Sequence, residues 1–437
     1  MSDPVIGLVG FLAVLMLAAL RVPIAVAMGV VGAVGGIALM GWRSASYVMA
    51  SLPFEAVFPY GLSVVPLFIF MGVFAAHSGL SGNLYAGVHA FMGHLRGGLT
   101  MATVGACGVF GAICGSSLAT CATMGRVALP EMRDRGYDPG LAGASVAAGG
   151  TLGVLIPPSI LLVIYALLTE QSIGALFAAA MIPGVLAALL YMGAIRVRVR
   201  RDADAGPAVD RAGGAERLAA FWRMWDAFLL IVIVIGGIYA GIFSPTEAAA
   251  IGAGGALLFT AVRGKLTVAT LGKGMQETAE LTGMIFLILI GAALFNFFIE
   301  ASGLTTALVD AITHAGLPPM AVLVAMLVFY VILGCFMDSL SMILLTVTPA
   351  FGIVTAFGFD PIWFGILLVS VAEIGLITPP IGMNLFVIQG VSRDLSLRVL
   401  SRGILPFIAA DGLRVLLILL IPALALWLPT QLGLAGG

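Results

Sequence analysis

Polar side chains are scarce in the long apolar runs of this 437-residue chain, and those present gather at a few places. Ser116, Ser117, Thr120 and Thr123 follow Cys114-Gly115 in one run, and a second run holds Gly153-Val154-Leu155-Ile156-Pro157-Pro158 with Thr151 and Ser159 beside it. The second half carries a counterpart. Asp338, Ser339 and Ser341 follow Gly334, and Gly375-Leu376-Ile377-Thr378-Pro379-Pro380 precedes Asn384. Two adjacent prolines remove two backbone N–H donors and push the preceding residue out of the helix, so carbonyls one turn upstream lose their partners. In hydrocarbon, free carbonyls are tolerated only where they line a cavity or hold a ligand. Hydroxyls beside such carbonyls make a hard oxygen cage of the kind that strips water from Na⁺. The competing reading is a local bond from each hydroxyl to its own helix. Asp338 and Glu373 are the sharpest single residues, because a carboxylate inside a membrane is costly. Each could ligate a cation, take a proton or cap a hairpin tip.

Enzyme chemistry finds little support. There is no P-loop, and Ser116 and Ser117 lack the flanking pattern of a nucleophile elbow. His77, His89, His94 and His314 have no zinc spacing and are expected in solvated or interfacial places. Cys107, Cys114, Cys121 and Cys335 show no Cys-x-x-Cys spacing and read as small buried packing residues. A net charge of −1 gives no reason to expect nucleic acid.

The elements that must position these residues are membrane helices. With 61% hydrophobic and 9% charged residues and a mean hydropathy of +1.16, the chain is expected to be an all-α polytopic membrane protein. Its 57 glycines suit close helix contacts and broken helices in lipid. Residues 5–20, 23–41 and 63–78 read as spans, with an interfacial segment at 46–60 and an amphipathic stretch at 83–96. The apolar run 100–129 breaks at Cys114–Ser117, and its halves are too short to cross alone, since a spanning helix needs about 20 residues. A re-entrant hairpin fits better. A broken helix over about 139–170 and a span over 172–195 complete residues 1–195.

The polar segment 196–224 reads as a cytoplasmic linker, and 225–437 repeats the first half. Spans are expected at 225–243 and 245–262, an amphipathic piece at 266–278, a span at 281–299 and an arm at 305–317. A hairpin over about 319–357, a broken helix over about 361–390 and a final span over 404–428 complete this half. The registers of the two Gly-x-x-x-Pro-Pro motifs differ by 222 residues, from Gly153 to Gly375. Asp411 and Arg414, three apart in the final span, are expected to pair.

Charge placement orients this layout. With the N-terminus outside, every Lys and Arg except Arg43 and Arg414 falls on the cytoplasmic side or in the linker. The first hairpin then enters from the cytoplasm and the second from outside, which makes the halves an inverted repeat of five spans and one hairpin each. Interrupted helices at matching places in two halves are the sequence pointer to the binding site of a secondary transporter. The acidic start, Met1-Ser2-Asp3-Pro4, fits a retained first span better than a cleaved signal peptide.

The chain resembles the large membrane subunit of TRAP (tripartite ATP-independent periplasmic) transporters over essentially its whole length. The likeness rests on Gly-Thr-Leu-Gly-Val-Leu-Ile-Pro-Pro-Ser at 150–159, Phe-Ser-Pro-Thr-Glu-Ala-Ala-Ala at 243–250, Asp-Pro-Ile-Trp-Phe-Gly-Ile at 360–366 and Gly-Leu-Ile-Thr-Pro-Pro-Ile-Gly-Met-Asn-Leu-Phe-Val at 375–387. It implies a Na⁺-coupled importer of a small organic acid (dicarboxylate, keto acid or sugar acid) in the bacterial inner membrane. A periplasmic binding protein would deliver the substrate, and a small four-helix membrane subunit would brace the large one. No such subunit precedes Met1, so it is expected as a separate chain. The resemblance also implies an elevator motion driven by two or more Na⁺ ions. One ion site would use the turn at Ser116, Ser117 and Thr120 with carbonyls near Gly153 and Ile156. The other would use Gly334 and Asp338 with Gly375 and Thr378. Substrate would lie between the hairpin tips, against Ser116, Pro158, Ser339, Ser341 and Asn384. The competing expectation is a stand-alone ion-coupled carboxylate carrier that needs no binding protein.

Overall fold

The computed structural model describes residues 3–434, which form helices and turns with no strand among them. Among the described residues six helices are long and apolar enough to cross a bilayer, or up to nine if each bent pair counts as one span. The chain is a multi-pass membrane protein.

Helices divide by what surrounds them. In Pro139–Leu155 every residue from Gly140 to Leu155 is buried, and in Pro361–Ile377 every residue from Trp363 to Ile377 is. A helix apolar all round with no amphipathic stripe belongs inside a protein, and these two form the centre. Each starts the same way, with Asp138 or Asp360 capping its N-terminus and proline at the first helical position. The outer helices are different. Ile24–Val57, Pro245–Val262 and Val268–Ala301 leave Val26, Val30, Val34, Leu258, Met284 and Leu287 exposed, an apolar surface unsuited to water. Ile24–Val57 crosses Val268–Ala301 closely enough that a side chain on Gly32 would begin 2.5 Å from the Leu294 carbonyl carbon.

Two helical hairpins lie against the central pair. Gly98–Cys114 turns at Gly115-Ser116 into Ser117–Asp134, and Pro319–Gly334 turns at Cys335–Asp338 into Ser339–Ala356. The Pro-Pro pairs interrupt the central helices where their missing donors require it. Pro139–Leu155 is followed by Ile160–Leu168 at a bend of 41°, and Pro361–Ile377 is followed by Met383–Val391. Both Pro-Pro peptide bonds are cis.

Several boundaries differ from the sequence reading. The amphipathic 266–278 and the span 281–299 are one helix, Val268–Ala301, because no glycine turn or proline separates them. The basic run at 196–201 belongs to Ile173–Arg201 and not to the linker. Beyond Arg201 the chain forms a strap docked by backbone hydrogen bonds. Gly97 N–H donates to Gly206 O, Val209 N–H to Gly93 O and Asp138 N–H to Ala205 O, and the helix Gly214–Trp222 ends the segment. The interfacial 46–60 is largely helical, as part of Ile24–Val57 after a kink at Gly41 (φ +77°). The final span comprises Leu405–Leu420 and Ala423–Gln431, separated at Ile421-Pro422.

Candidate functional site

Each hairpin tip meets the break in its own half through glycine. A side chain on Gly375 would begin 2.5 Å from the Gly334 Cα, and one on Gly111 would collide with the Gly153 backbone. Backbone therefore lies against backbone, with no room for a methyl group.

At the first tip, Ser116 caps the descending helix and its hydroxyl accepts from Ala119 N–H. Thr120 Oγ1 is wholly buried and has no hydrogen-bond partner. It points at Gly153, together with the Ser116 carbonyl: they lie 2.6 Å and 2.9 Å from where a Gly153 side chain would begin. The Pro158 carbonyl faces Gly115 in the same contact. Missing side chain, lone hydroxyl and tip carbonyls form a cradle of oxygen atoms. The Cys114 thiol beside Thr120 is a weak partner, so an ion bound here would offset part of the roughly 1–3 kcal/mol that an unmet buried hydroxyl costs. The donor set is hard and uncharged, which suits Na⁺. Among the described residues no three His, Cys, Asp or Glu converge as a transition-metal site would require.

The second tip is built differently. Asp338 caps its helix, with Oδ1 accepting from Ser341 N–H at 2.9 Å and Oδ2 from the Ser341 hydroxyl at 2.5 Å. Both carboxylate oxygens thus steady the tip, each with one lone pair left over. Thr378 terminates Pro361–Ile377, and its hydroxyl donates to Ile374 O in the local bond that competes with ligand binding. Ser339 instead donates to Glu373 Oε1 at 3.0 Å.

The two halves are knit together at these tips. Asn384 is fully buried, and its amide donates to Ser117 Oγ and to Ala147 O, both at 3.0 Å. Its side chain therefore ties the helix after the second break to the first tip. Tyr165, beyond the first break, donates to Pro361 O at the start of the second central helix. At the rim Arg133 pairs with Asp394 at 2.9 Å, outside the membrane-embedded part. The Ser392 hydroxyl, then Arg133, hold the Asp394 carboxyl below its usual range. Whatever this exposed tie adds to stability is present at neutral pH and fades as pH falls through that lowered value.

A further buried network was foreseen from the sequence only in its charged pair. Arg414 lies 3.1 Å from Asp411, both fully buried, as their spacing predicts. Tyr191 donates to Asp411 Oδ2 at 2.6 Å and stands 2.9 Å from Thr151 Oγ1. A tyrosine in an apolar span gives no sequence signal of such a role.

The geometry of paired hairpins and broken helices is that of a membrane carrier, and comparison decides which kind. Residues 10–424 match the family described as Tripartite ATP-independent periplasmic transporter, DctM component. The chain belongs to this family. A C4-dicarboxylate TRAP transporter large permease protein from Pseudomonas aeruginosa is 37% identical over 385 residues, covering 87% of this chain and 89% of that one. An isethionate TRAP transporter permease protein from Oleidesulfovibrio alaskensis is 34% identical over 426 residues, covering 97% of this chain and 66% of its own length. In fold, the crystal structure of the Alcanivorax borkumensis YdaH transporter is similar, with a TM-score of 0.69 at 16% identity over 95% of this chain and 98% of that one. The DctM relatives are permeases, so the work of this chain is transport and not catalysis.

Proposed function

We propose that this DctM-family chain is the large subunit of a Na⁺-coupled importer of a small organic acid. The observation that carries this reading is the cradle of Thr120, Ser116 and Gly153, where a hydroxyl with no hydrogen bond and a tip carbonyl converge on a glycine. Gly334, Gly375 and Thr378 would serve a second ion, with the Thr378 hydroxyl leaving its local bond. Relatives for a C4-dicarboxylate and for isethionate favour a small organic anion as cargo. It would lie between the tips, near Ser116, Pro158, Ser339 and Ser341. A tripartite family needs two further parts, here a small membrane subunit and a periplasmic binding protein. The positive-inside pattern favours an inner-membrane protein with its N-terminus in the periplasm and two inverted halves.

An elevator motion is the mechanism we favour, with hairpins and broken helices moving against the outer helices. Apolar surfaces without directional bonds can slide. An apolar cavity of about 190 Å³, lined by Leu8, Phe11, Ile299, Met326, Phe329 and Ile353, lies between the outer helices and the second hairpin.

Thr120→Val tests the ion cradle, because it exchanges one hydroxyl for a methyl group of the same shape. Removing a partnerless buried hydroxyl should leave stability in Na⁺-free buffer unchanged or raised. The Na⁺ concentration for half-maximal uptake in proteoliposomes with both partner components should rise about tenfold, the equivalent of ~1.4 kcal/mol. An identical Na⁺ curve in the variant removes the assignment. Uptake driven by this chain alone would favour a stand-alone carrier.

A further inference from the structure

Glu373 is fully buried on the second central helix, one turn ahead of the Thr378-Pro379-Pro380 break. It lies where the two hairpin tips converge. Ser339, the first residue of the descending helix in the second hairpin, donates to its Oε1 at 3.0 Å. Ser117, the first residue of the descending helix in the first hairpin, faces the same carboxylate. Its other oxygen, Oε2, is enclosed and has no partner.

The charged groups around it do not balance. Asp411 and Arg414 are the other fully buried charged residues in this interior, and they already face each other at 3.1 Å. Arg414 sends its remaining contact to Ser370 O at 3.5 Å, while Tyr191 donates to Asp411. Two carboxyl groups share one guanidinium, which leaves Glu373 without a cationic side chain of its own. A carboxyl group in a low-dielectric interior keeps its charge only with a counter-ion and otherwise holds a proton. Ser339 keeps both hydroxyl lone pairs and Ser117, which accepts from Asn384, keeps one, so the Glu373 carboxyl group has hard oxygen ligands from three elements around it.

We propose that Glu373 is the charged ligand of a further monovalent cation site, in which Na⁺ is held between the hairpin tips by Glu373 Oε2 with the Ser117 and Ser339 hydroxyls. This inference rests on the Na⁺-coupled reading and adds to it. The cradles at Gly153 and Gly375 each join a tip to the break of its own half, whereas this site joins both tips to each other. Emptying it would free one tip from the other, which links ion release to opening of the space where cargo lies.

The test is thermal unfolding of the full chain in detergent, titrated with NaCl against choline chloride, for wild type, Glu373→Gln and Ser339→Ala. Glutamine keeps the shape and one carbonyl oxygen but removes the charge. The expected result is Na⁺-specific stabilisation of wild type, a half-point raised about tenfold or more in Glu373→Gln, and a smaller rise in Ser339→Ala. Should Glu373→Gln not fold, the Ser339→Ala shift decides. Wild type that responds to both salts alike defeats Na⁺ coupling itself, and this proposal with it. Wild type that responds to Na⁺ while Glu373→Gln titrates identically overturns the Glu373 site and leaves the cradles standing. A repeat at two pH values identifies a proton as occupant: a pH response lost in Glu373→Gln, with the Na⁺ response intact, overturns Na⁺ at this site.

Discussion

Gly375→Val is expected to abolish uptake in proteoliposomes while the chain still inserts into the membrane. A valine Cβ here would begin 2.5 Å from both the Gly334 Cα and its carbonyl carbon, and 3.1 Å from Cys335 N. Every one of these atoms is backbone. A clash with a flexible side chain is relieved by a rotamer change, but this one is relieved only by moving the hairpin tip away from the break. Overpacking in a close-fitted core typically costs about 1–3 kcal/mol, and a rigid backbone neighbour puts this case at the upper end. The displaced tip would separate Gly334 and Asp338 from Gly375 and Thr378, and would draw Ser339 off Glu373. Uptake should therefore fall below a tenth of wild type, which needs only ~1.4 kcal/mol in the transporting state. Gly283→Ala is the control. It lies mid-helix in Val268–Ala301, where an added Cβ meets nothing within 4 Å, so uptake should be unchanged. Full activity in Gly375→Val would mean that the tip and the break need not touch during transport.

The parts of the fold that were legible in the sequence are those set by local backbone chemistry. Pro157-Pro158 and Pro379-Pro380 interrupt their helices at the residues where donors are missing, and Gly115 starts a hairpin turn at φ +65°. Ser244-Pro245-Thr246-Glu247 opens Pro245–Val262 with a capping box, as its spacing dictates. What stayed hidden depends on facing. Asn384 reads as a polar group beside a break and therefore as a substrate contact. In the fold its amide is engaged by Ser117 at the first tip and by Ala147. Its helix-mate spacing could not reveal this, since the partner lies 267 residues away. Thr378 and Thr120 look alike in sequence, yet one hydroxyl has a local bond and the other has none. Thr120 is turned toward Gly153, which has no side chain to answer it. The strap after Ile173–Arg201 was equally invisible: its hydrogen bonds run through backbone, which no residue type announces.

The second large effect is expected in stability, at the Asp411–Arg414 pair. Asp411→Leu should destabilise the chain by about 3–5 kcal/mol, because it leaves a fully buried guanidinium without its counter-ion. Arg414 has few other partners: its Nε and Nη1 have none, and its Nη2 reaches Ser370 O only at 3.5 Å. Tyr191 would lose its acceptor in the same step. Removing both charges together, as Asp411→Leu with Arg414→Leu, should cost much less, since neither desolvated charge remains. A double-mutant cycle read by thermal unfolding in detergent therefore expects a strongly negative coupling term, with the pair less damaging than the sum of its parts. The alternative is that Arg414 chiefly balances Glu373. Arg414→Leu alone would then be far worse than Asp411→Leu, and the double variant would be no better than Arg414→Leu, because Glu373 would be left without its cation in both. The order of these three unfolding temperatures thus reports which carboxylate the buried arginine serves, and whether the charge at Glu373 is left for an ion to match.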